Sequence, residues 1–364
     1  MRCGERVVRC LSGQPVDRVP FGVGLGWHPW GQALERWRAE SGIADLDAAR
    51  HFGFDDSFAI PALHPGIYPP FAPELLSEDE AFVVHRDERG ITMRNRRDGG
   101  SMPEFLDYPV KTAADWARLR SERLDPKAPG RVAESWDAFR ARVERTGEAV
   151  QVGWFPYGVF GTARDLMGVE RLLVAFYDAP DLVQDMMERL TDVWLAVWER
   201  TAAEVQIDHI HIWEDMSGRQ GSLISPAMVR GFMLPCYERI AAFGRRVGVR
   251  LLSVDTDGDC RQLVGPMMAV GVNVFFPFEV QAGNDVREYR RRYPTLGILG
   301  GLDKRALAAG RDAIDAEVER ARAMVAAGRY VPGFDHLIPP DTPWEGYRYA
   351  AERLREVCHG ARGV

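Results

Sequence analysis

Three things are scarce in this chain, and each scarcity excludes a class of function. Positive charge has no excess: 46 Lys and Arg stand against 53 Asp and Glu, for a net charge of −7. Such a balance offers no basic stripe for a phosphate backbone, so nucleic acid is not an expected partner. Long apolar runs are missing, and nothing approaches the ~18 residues of a membrane span. The basic, amphipathic stretch from Met1 to Gly13 lacks the apolar core, about 7–15 residues long, of a signal peptide. Cysteine is sparse: Cys3, Cys10, Cys236, Cys260 and Cys358 are scattered and odd in number, with no CxxC or Cys/His zinc spacing. That excludes a disulfide framework and points to a reduced, cytoplasmic chain. The sequence also lacks GxxxxGK[ST], GxSxG and HExxH, and no GxGxxG follows any strand candidate. Cys236 lies within a helical pattern with no evident His or Asn partner, which argues against a thiol nucleophile.

What is present is ample core and a repeating rhythm. The 364 residues are 46% apolar, enough for one large barrel with additions or for two domains. Residues 1–13 read as a helix closed by Gly13, and Val19 to Gly24 as a first strand. A helix is expected from about Gln32 to Glu40, and Phe54 to Ile60 forms a second strand candidate. Residues 61–77 read as a long ordered loop, and 82–85 with 91–94 as a β-hairpin. Thr112 caps one helix and another spans about 131–146. From residue 149 the pattern is regular. Strands at 149–154, 208–213, 249–254, 272–276, 296–299 and 329–333 alternate with helices at 162–206, 225–247, 259–270, 284–293, 303–328 and 341–359. Ser225-Pro226 and Thr342-Pro343-Trp344-Glu345 read as helix caps, the second as a capping box. With the two early candidates these strands make eight, and short βα turns imply a (β/α)₈ barrel in preference to an open doubly wound sheet.

A barrel enzyme builds its site from the C-terminal ends of its strands, and here those ends are ionisable. Strand 208–213 carries His209 and His211 and ends in Glu214 and Asp215, with Arg219 following. Strand 249–254 runs into Asp255, Thr256, Asp257, Gly258 and Asp259. The later ends supply Glu279, then Gly300, Gly301, Asp303 and Lys304, then Asp335 and His336. Buried carboxylates are costly unless paired, metal-bound or used, and crowding raises some of their pKa values. Asp259 is better read as the cap of the helix that follows, whereas Asp255 and Asp257 are read as functional. His209 and His211 are as readily core histidines as site residues. If a metal binds, Asp255, Asp257 and His336 are the oxygen and nitrogen donors that suit it.

In order and spacing these segments resemble the uroporphyrinogen decarboxylase superfamily. The resemblance rests on Glu214-Asp215-Met216 with Ser225-Pro226, Asp255 to Asp259, Pro277-Phe278-Glu279, Gly300 to Lys304, and Asp335-His336. It covers roughly residues 150–357, with Asp17-Arg18-Val19-Pro20 resembling the family's opening. It implies one TIM-barrel domain over 1–364, with 25–148 as peripheral additions and 149–359 as regular βα repeats. Two departures sharpen it. The arginine-rich motif of true decarboxylases is replaced by Phe21 to His28, without arginine, so a substrate with eight carboxylates loses its cationic clamp. The His-x-Cys-Gly of zinc-dependent thiol methyltransferases falls on Asp255-Thr256-Asp257, and their late cysteine near Phe334 to His336. No Cys-ligated zinc is therefore expected, nor any tightly bound cofactor.

The resemblance implies a methyltransferase working with a methylated corrinoid on a small partner protein, its acceptor a non-thiol such as tetrahydrofolate. Asp255, Asp257 or Asp335 would manage acceptor protonation, with His336 and Glu214 orienting them. His211, Asp215, Arg219, Glu279, Gly301, Asp303 and Lys304 would contact substrate. The alternatives are a decarboxylase-like lyase acting on a carboxylated tetrapyrrole or smaller acid, and a non-catalytic tetrapyrrole-binding protein.

Overall fold

The computed structural model describes residues 1–55, 57–99 and 102–361. Seven strands lie side by side in chain order: Phe58–Ala59, Ala149–Val152, His209–Trp213, Leu251–Asp255, Val274–Phe276, Gly297–Leu299 and Tyr330–Val331. Every pairing between neighbours is parallel. Strand order equal to chain order, with a helical crossover at nearly every step, is the winding of a (β/α)₈-type barrel. Each strand candidate from residue 149 onward is present, most of them trimmed by a few residues at their ends, while the one read over 249–254 runs on to include Asp255.

The eighth position is filled differently from expectation. Val19 to Gly24 forms no strand. Pro20 has no N–H to donate, and Gly22 and Gly24 sit at φ 77° and 90°, so a regular ladder cannot run through the segment. The seam is closed by packing around Trp27. Its ring lies 5.2 Å from Phe54 and 5.6 Å from Phe334, and its indole N–H donates to the Pro332 carbonyl at 3.0 Å. The first and last strands of the sheet are thus joined through an aromatic wedge.

Strand alternation decides what faces inward. Ile210 and Ile212 are fully buried, and Ile210 points at Gly244 on the outer helix Leu234–Val247. His209, His211 and Trp213 therefore face the barrel interior, as do Ser253 and Asp255, their lateral neighbours on the next strand. The outer helices bury one stripe each. Pro180–Ala202, with proline in its first turn, buries Val183, Met186, Leu190, Val193 and Val197.

The hairpin read from the sequence is the middle of a larger sheet. Phe82–Arg86 and Thr92–Arg96 pair as expected, but Glu74–Glu78 and Glu104–Asp107 flank them in a four-stranded antiparallel sheet. The flanking strands escape periodicity because every residue in both is exposed. Arg89, on the hairpin turn, ties this sheet to the barrel by pairing with Asp87 and with Asp165 of helix Val159–Met167.

Several helices differ from the reading. The one read from about 131 starts at Trp136, and the one read over 303–328 is split into Ala306–Ala309 and Arg311–Ala326. Two others change their caps. The helix expected from Asp259 begins at Val264, and Asp259 instead accepts the Arg261 N–H at 3.0 Å and pairs with its guanidinium. No capping box forms at Thr342. Pro343 holds the preceding residue extended and becomes the cap position itself, and the Trp344 N–H donates to the Glu40 carboxylate at 2.7 Å. The Ser225 cap and a Thr112–Asp115 capping box are present.

Candidate active site

The interior face of two adjacent strands builds the centre of the site. Register places Ser253 beside His211 and Asp255 beside Trp213. The His211 Nε2 lies 3.8 Å from the Asp255 carboxylate, and its Nδ1 lies 2.8 Å from the Ser253 hydroxyl oxygen. Burial pushes the Asp255 carboxyl up, the hydrogen bond from His211 pulls it down, and Asp257 and Asp215 raise it again, leaving it at about 6. A carboxyl of that kind is partly protonated near neutral pH, which suits it to carry a proton in either direction.

A second pair sits beyond the strand end. The His336 Nε2 lies 3.5 Å from Asp257, whose side chain is 35% exposed. Burial lowers the His336 pKa, but the Asp257 hydrogen bond and charge outweigh it and hold the ring above its ordinary value. Gly258, at φ 71°, lets the chain turn where a side chain would strike the Ser217 carbonyl. Its N–H donates to Glu279 at 2.9 Å. Lys304 lies 3.7 Å from Glu279 and 3.6 Å from Asp335. Its charge is thus shared between two carboxylates of the chain itself.

Several residues read as site residues serve the scaffold. Glu214 is fully buried and accepts the N–H groups of Val159, Phe160 and Gly161 at 2.7–3.0 Å, and the Tyr237 hydroxyl at 2.5 Å. It is the anion that caps helix Val159–Met167, so it does not orient Asp255. Asp335 is also fully buried, and takes the N–H groups of Val280 and Lys304. Asp215, at φ 42°, accepts from Arg164 at 2.6 Å. Arg219 is exposed at the tip of the small hairpin joining Ser217–Gly218 to Gly221–Ser222. Asp303 pairs with Arg305. At Gly301, φ 81°, an added Cβ would lie 2.2 Å from Val286, so its small size serves packing against that helix, not close approach of a ligand.

Metal donors are not gathered as the sequence allowed. Asp255 is engaged by His211 and Asp257 by His336, and among the described residues no three His, Cys, Asp or Glu side chains converge on one point. All five thiols are free, four of them buried and one half-buried. Purified protein is expected to carry no stoichiometric zinc with sulfur ligands. Elemental analysis with X-ray absorption checks this, and Zn–S distances near ~2.3 Å would overturn it.

Ser253, Tyr237 and Arg164 were not read as contributors. Ser253 had one available signal, its place two residues before Asp255 on the same strand face. Which histidine it meets depends on the register between strands, and local periodicity does not show that. Tyr237 and Arg164 reach their carboxylates from helices whose facing follows only from tertiary packing.

A family model described as "Uroporphyrinogen decarboxylase (URO-D)" matches residues 81–357. The chain belongs to this family. Relatives within it include the uroporphyrinogen decarboxylase of Thermus thermophilus, 27% identical over 204 residues, 54% of each chain. The uroporphyrinogen decarboxylase of Saccharopolyspora erythraea is 27% identical over 249 residues, 64% of this chain and 65% of the relative. The matches thus span about half to two thirds of those relatives' lengths. A methyltransferase from Methanosarcina mazei superposes with a TM-score of 0.57 at 16% identity, covering 98% of this chain and 99% of that one. The fold is shared with that methyltransferase.

Proposed function

We propose that this member of the uroporphyrinogen decarboxylase family is a methyltransferase, taking a methyl group from a methylated corrinoid presented by a partner protein. The acceptor is a nitrogen, as in tetrahydrofolate. The observation that carries the reading is the charge of the barrel mouth. Asp255, Asp257 and Glu279 are answered by Lys304 and two histidines, and Arg164, which lies over the Trp213 ring, is already held by Asp215. A substrate with many carboxylates would meet repulsion there, whereas an amine that must exchange a proton meets acids poised to do so. The methyl group leaves the corrinoid without its bonding electron pair and bonds to the acceptor nitrogen, whose N–H proton passes to a carboxylate. Asp255 is the residue suited to take it, and the His336–Asp257 pair is placed to orient the acceptor. The corrinoid enters as a substrate, and no residue is assigned to its metal.

The decarboxylase named in the relatives at 27% identity is the second reading. The two differ in what a single purified protein can do: carbon dioxide is released from a carboxylated tetrapyrrole only if the second holds. Methyl transfer requires a methylated donor, with methylcobalamin and tetrahydrofolate as the first pair to test. In whichever assay turns over, Asp257→Asn is expected to lose roughly 10²–10⁴-fold in rate. Its melting temperature should be nearly unchanged, because the side chain is partly exposed and engages His336 alone among the ion pairs. Turnover equal to the parent's would reduce Asp257 to a turn residue.

A further inference from the structure

Ser253 lies between two imidazoles. Its hydroxyl oxygen is 2.7 Å from the His209 Nε2 and 2.8 Å from the His211 Nδ1. A hydroxyl has one hydrogen and two lone pairs. Among the described residues these two rings are its partners, so accepting from both would leave its own hydrogen buried without an acceptor. It therefore donates to one ring and accepts from the other. Two proton arrangements satisfy both contacts. In the first, the His209 Nε2–H donates to Ser253, and Ser253 donates to the His211 Nδ1. His211 then carries its proton on Nε2, toward Asp255. In the second, the His211 Nδ1–H donates to Ser253 and Ser253 donates to the His209 Nε2. Neutral His209 must then hold its proton on Nδ1.

The His209 Nδ1 decides between them. It is buried and has no hydrogen-bond partner, inside a residue only 6% exposed and packed on the Phe58 ring at 4.7 Å. An unpaired buried N–H is rarer than an under-used acceptor and costs the full desolvation of the donor. The second arrangement creates that orphan and also turns a His211 lone pair toward a carboxylate. Protonating His211 on both nitrogens does not avoid the orphan. The ring would donate to Ser253, and then either the His209 Nδ1 carries a proton without a partner or the Ser253 hydrogen has no acceptor.

We propose that Ser253 and His209 are positioning residues that fix His211 in the tautomer protonated on Nε2, so that an N–H faces the Asp255 carboxylate. This deepens the proton-handling role given to Asp255 and rests on that reading only for its consequence in turnover. Buried deeper than His211, His209 stays neutral, since burial and the neighbouring imidazole hold its pKa well below the ordinary value. The charged groups acting on Asp255 are Asp257 and Asp215, and they are unaltered in the test variants.

The test is nitrogen-15 NMR of the full chain with labelled histidine, in long-range correlation spectra that distinguish the two ring nitrogens. His209→Asn and His211→Asn assign the signals by their loss. At pH 7 both rings are expected as neutral Nε2–H tautomers, with His209 unchanged down to pH 5. Ser253→Ala should release His211 into a mixture of tautomers, and Ser253→Thr, which keeps the hydroxyl, should restore the single form. A parent His211 protonated on Nδ1, or a His209 that titrates near 6.5, would overturn the proposal. So would a folded Ser253→Ala with unchanged tautomers. If that variant does not fold, the parent spectrum decides alone. In the methyl-transfer assay, Ser253→Ala should shift the acidic limb of the pH–rate profile upward, because Asp255 loses an N–H that favours its ionised form. A parent inactive in that assay would count against the proposed reaction, while the tautomers would still be read from the spectra.

Discussion

Asp255→Asn is expected to destroy turnover and stabilise the fold in the same molecule. The loss of rate should be roughly 10²–10⁴-fold, the range for removing a positioned proton carrier. The gain in stability follows from linkage. The Asp255 carboxyl is raised by burial from 3.8 to about 6 in the folded chain, so the folded state binds its proton more tightly than the unfolded state does. Its favourable contribution is complete below pH 3.8 and is lost as pH rises through 6, where the buried group must ionise. A shift of about two units corresponds to roughly 3 kcal/mol at most. Asparagine never ionises and escapes that penalty. Denaturant unfolding of variant and parent should therefore differ most above pH 7, in the variant's favour, and converge toward pH 4. A variant no more stable than the parent at pH 8 would show that Asp255 is not strained by ionisation.

Glu214→Ala should do the reverse, unfolding the protein without implicating the chemistry. The substitution leaves three backbone N–H groups of helix Val159–Met167 and the Tyr237 hydroxyl without their acceptor in a fully buried place. Removing one side of such a buried charged network costs about 3–5 kcal/mol, against a total stability of roughly 5–15 kcal/mol for a typical domain. Urea midpoints should fall sharply, or soluble protein should be lost. Tyr237→Phe removes only one donor and should fold, with a loss of about 1 kcal/mol and turnover retained. A folded Glu214→Ala with native stability and no activity would return Glu214 to the catalytic group.

The parts of the fold that were legible in the sequence are those fixed by local pattern. The six strands from residue 149 onward announce themselves through apolar runs ended by turn residues, and the caps at Ser225 and Thr112 through side chains that bond their own backbone. Helix starts that borrow a cap from elsewhere were not legible, since nothing near Thr342 reveals that Glu40 will supply the acceptor. The site divides in the same way. That ionisable residues crowd the strand ends was plain from their positions. Which of them face the mouth was not, because Glu214 and Asp255 each follow the strand as read from the sequence, yet the register sets Asp255 beside Trp213 and leaves Glu214 one residue further on, on the opposite face. Helix Val159–Met167 starts on Glu214, and His211 in the barrel interior faces Asp255. A strand-end carboxylate marks a place where charge is tolerated, and tertiary packing decides whether it is structural or reactive.

The Trp27 wedge has a mechanical consequence. Elsewhere around the barrel, widening the mouth means stretching rows of backbone hydrogen bonds together, which makes the wall stiff. At the seam between Phe54 and Phe334 the wall is held by a short parallel bridge, in which the Trp30 N–H donates to the Ile338 carbonyl at 3.0 Å and the Ile338 N–H to the His28 carbonyl at 2.9 Å, by one indole N–H and by ring contacts. Dispersion contacts of that kind tolerate small sliding displacements better than aligned hydrogen bonds do. The seam thus carries fewer aligned backbone hydrogen bonds than the strand ladders on either side, which makes it the more yielding part of the wall. The stiff arc carrying His211, Ser253 and Asp255 would keep its geometry while the seam moves.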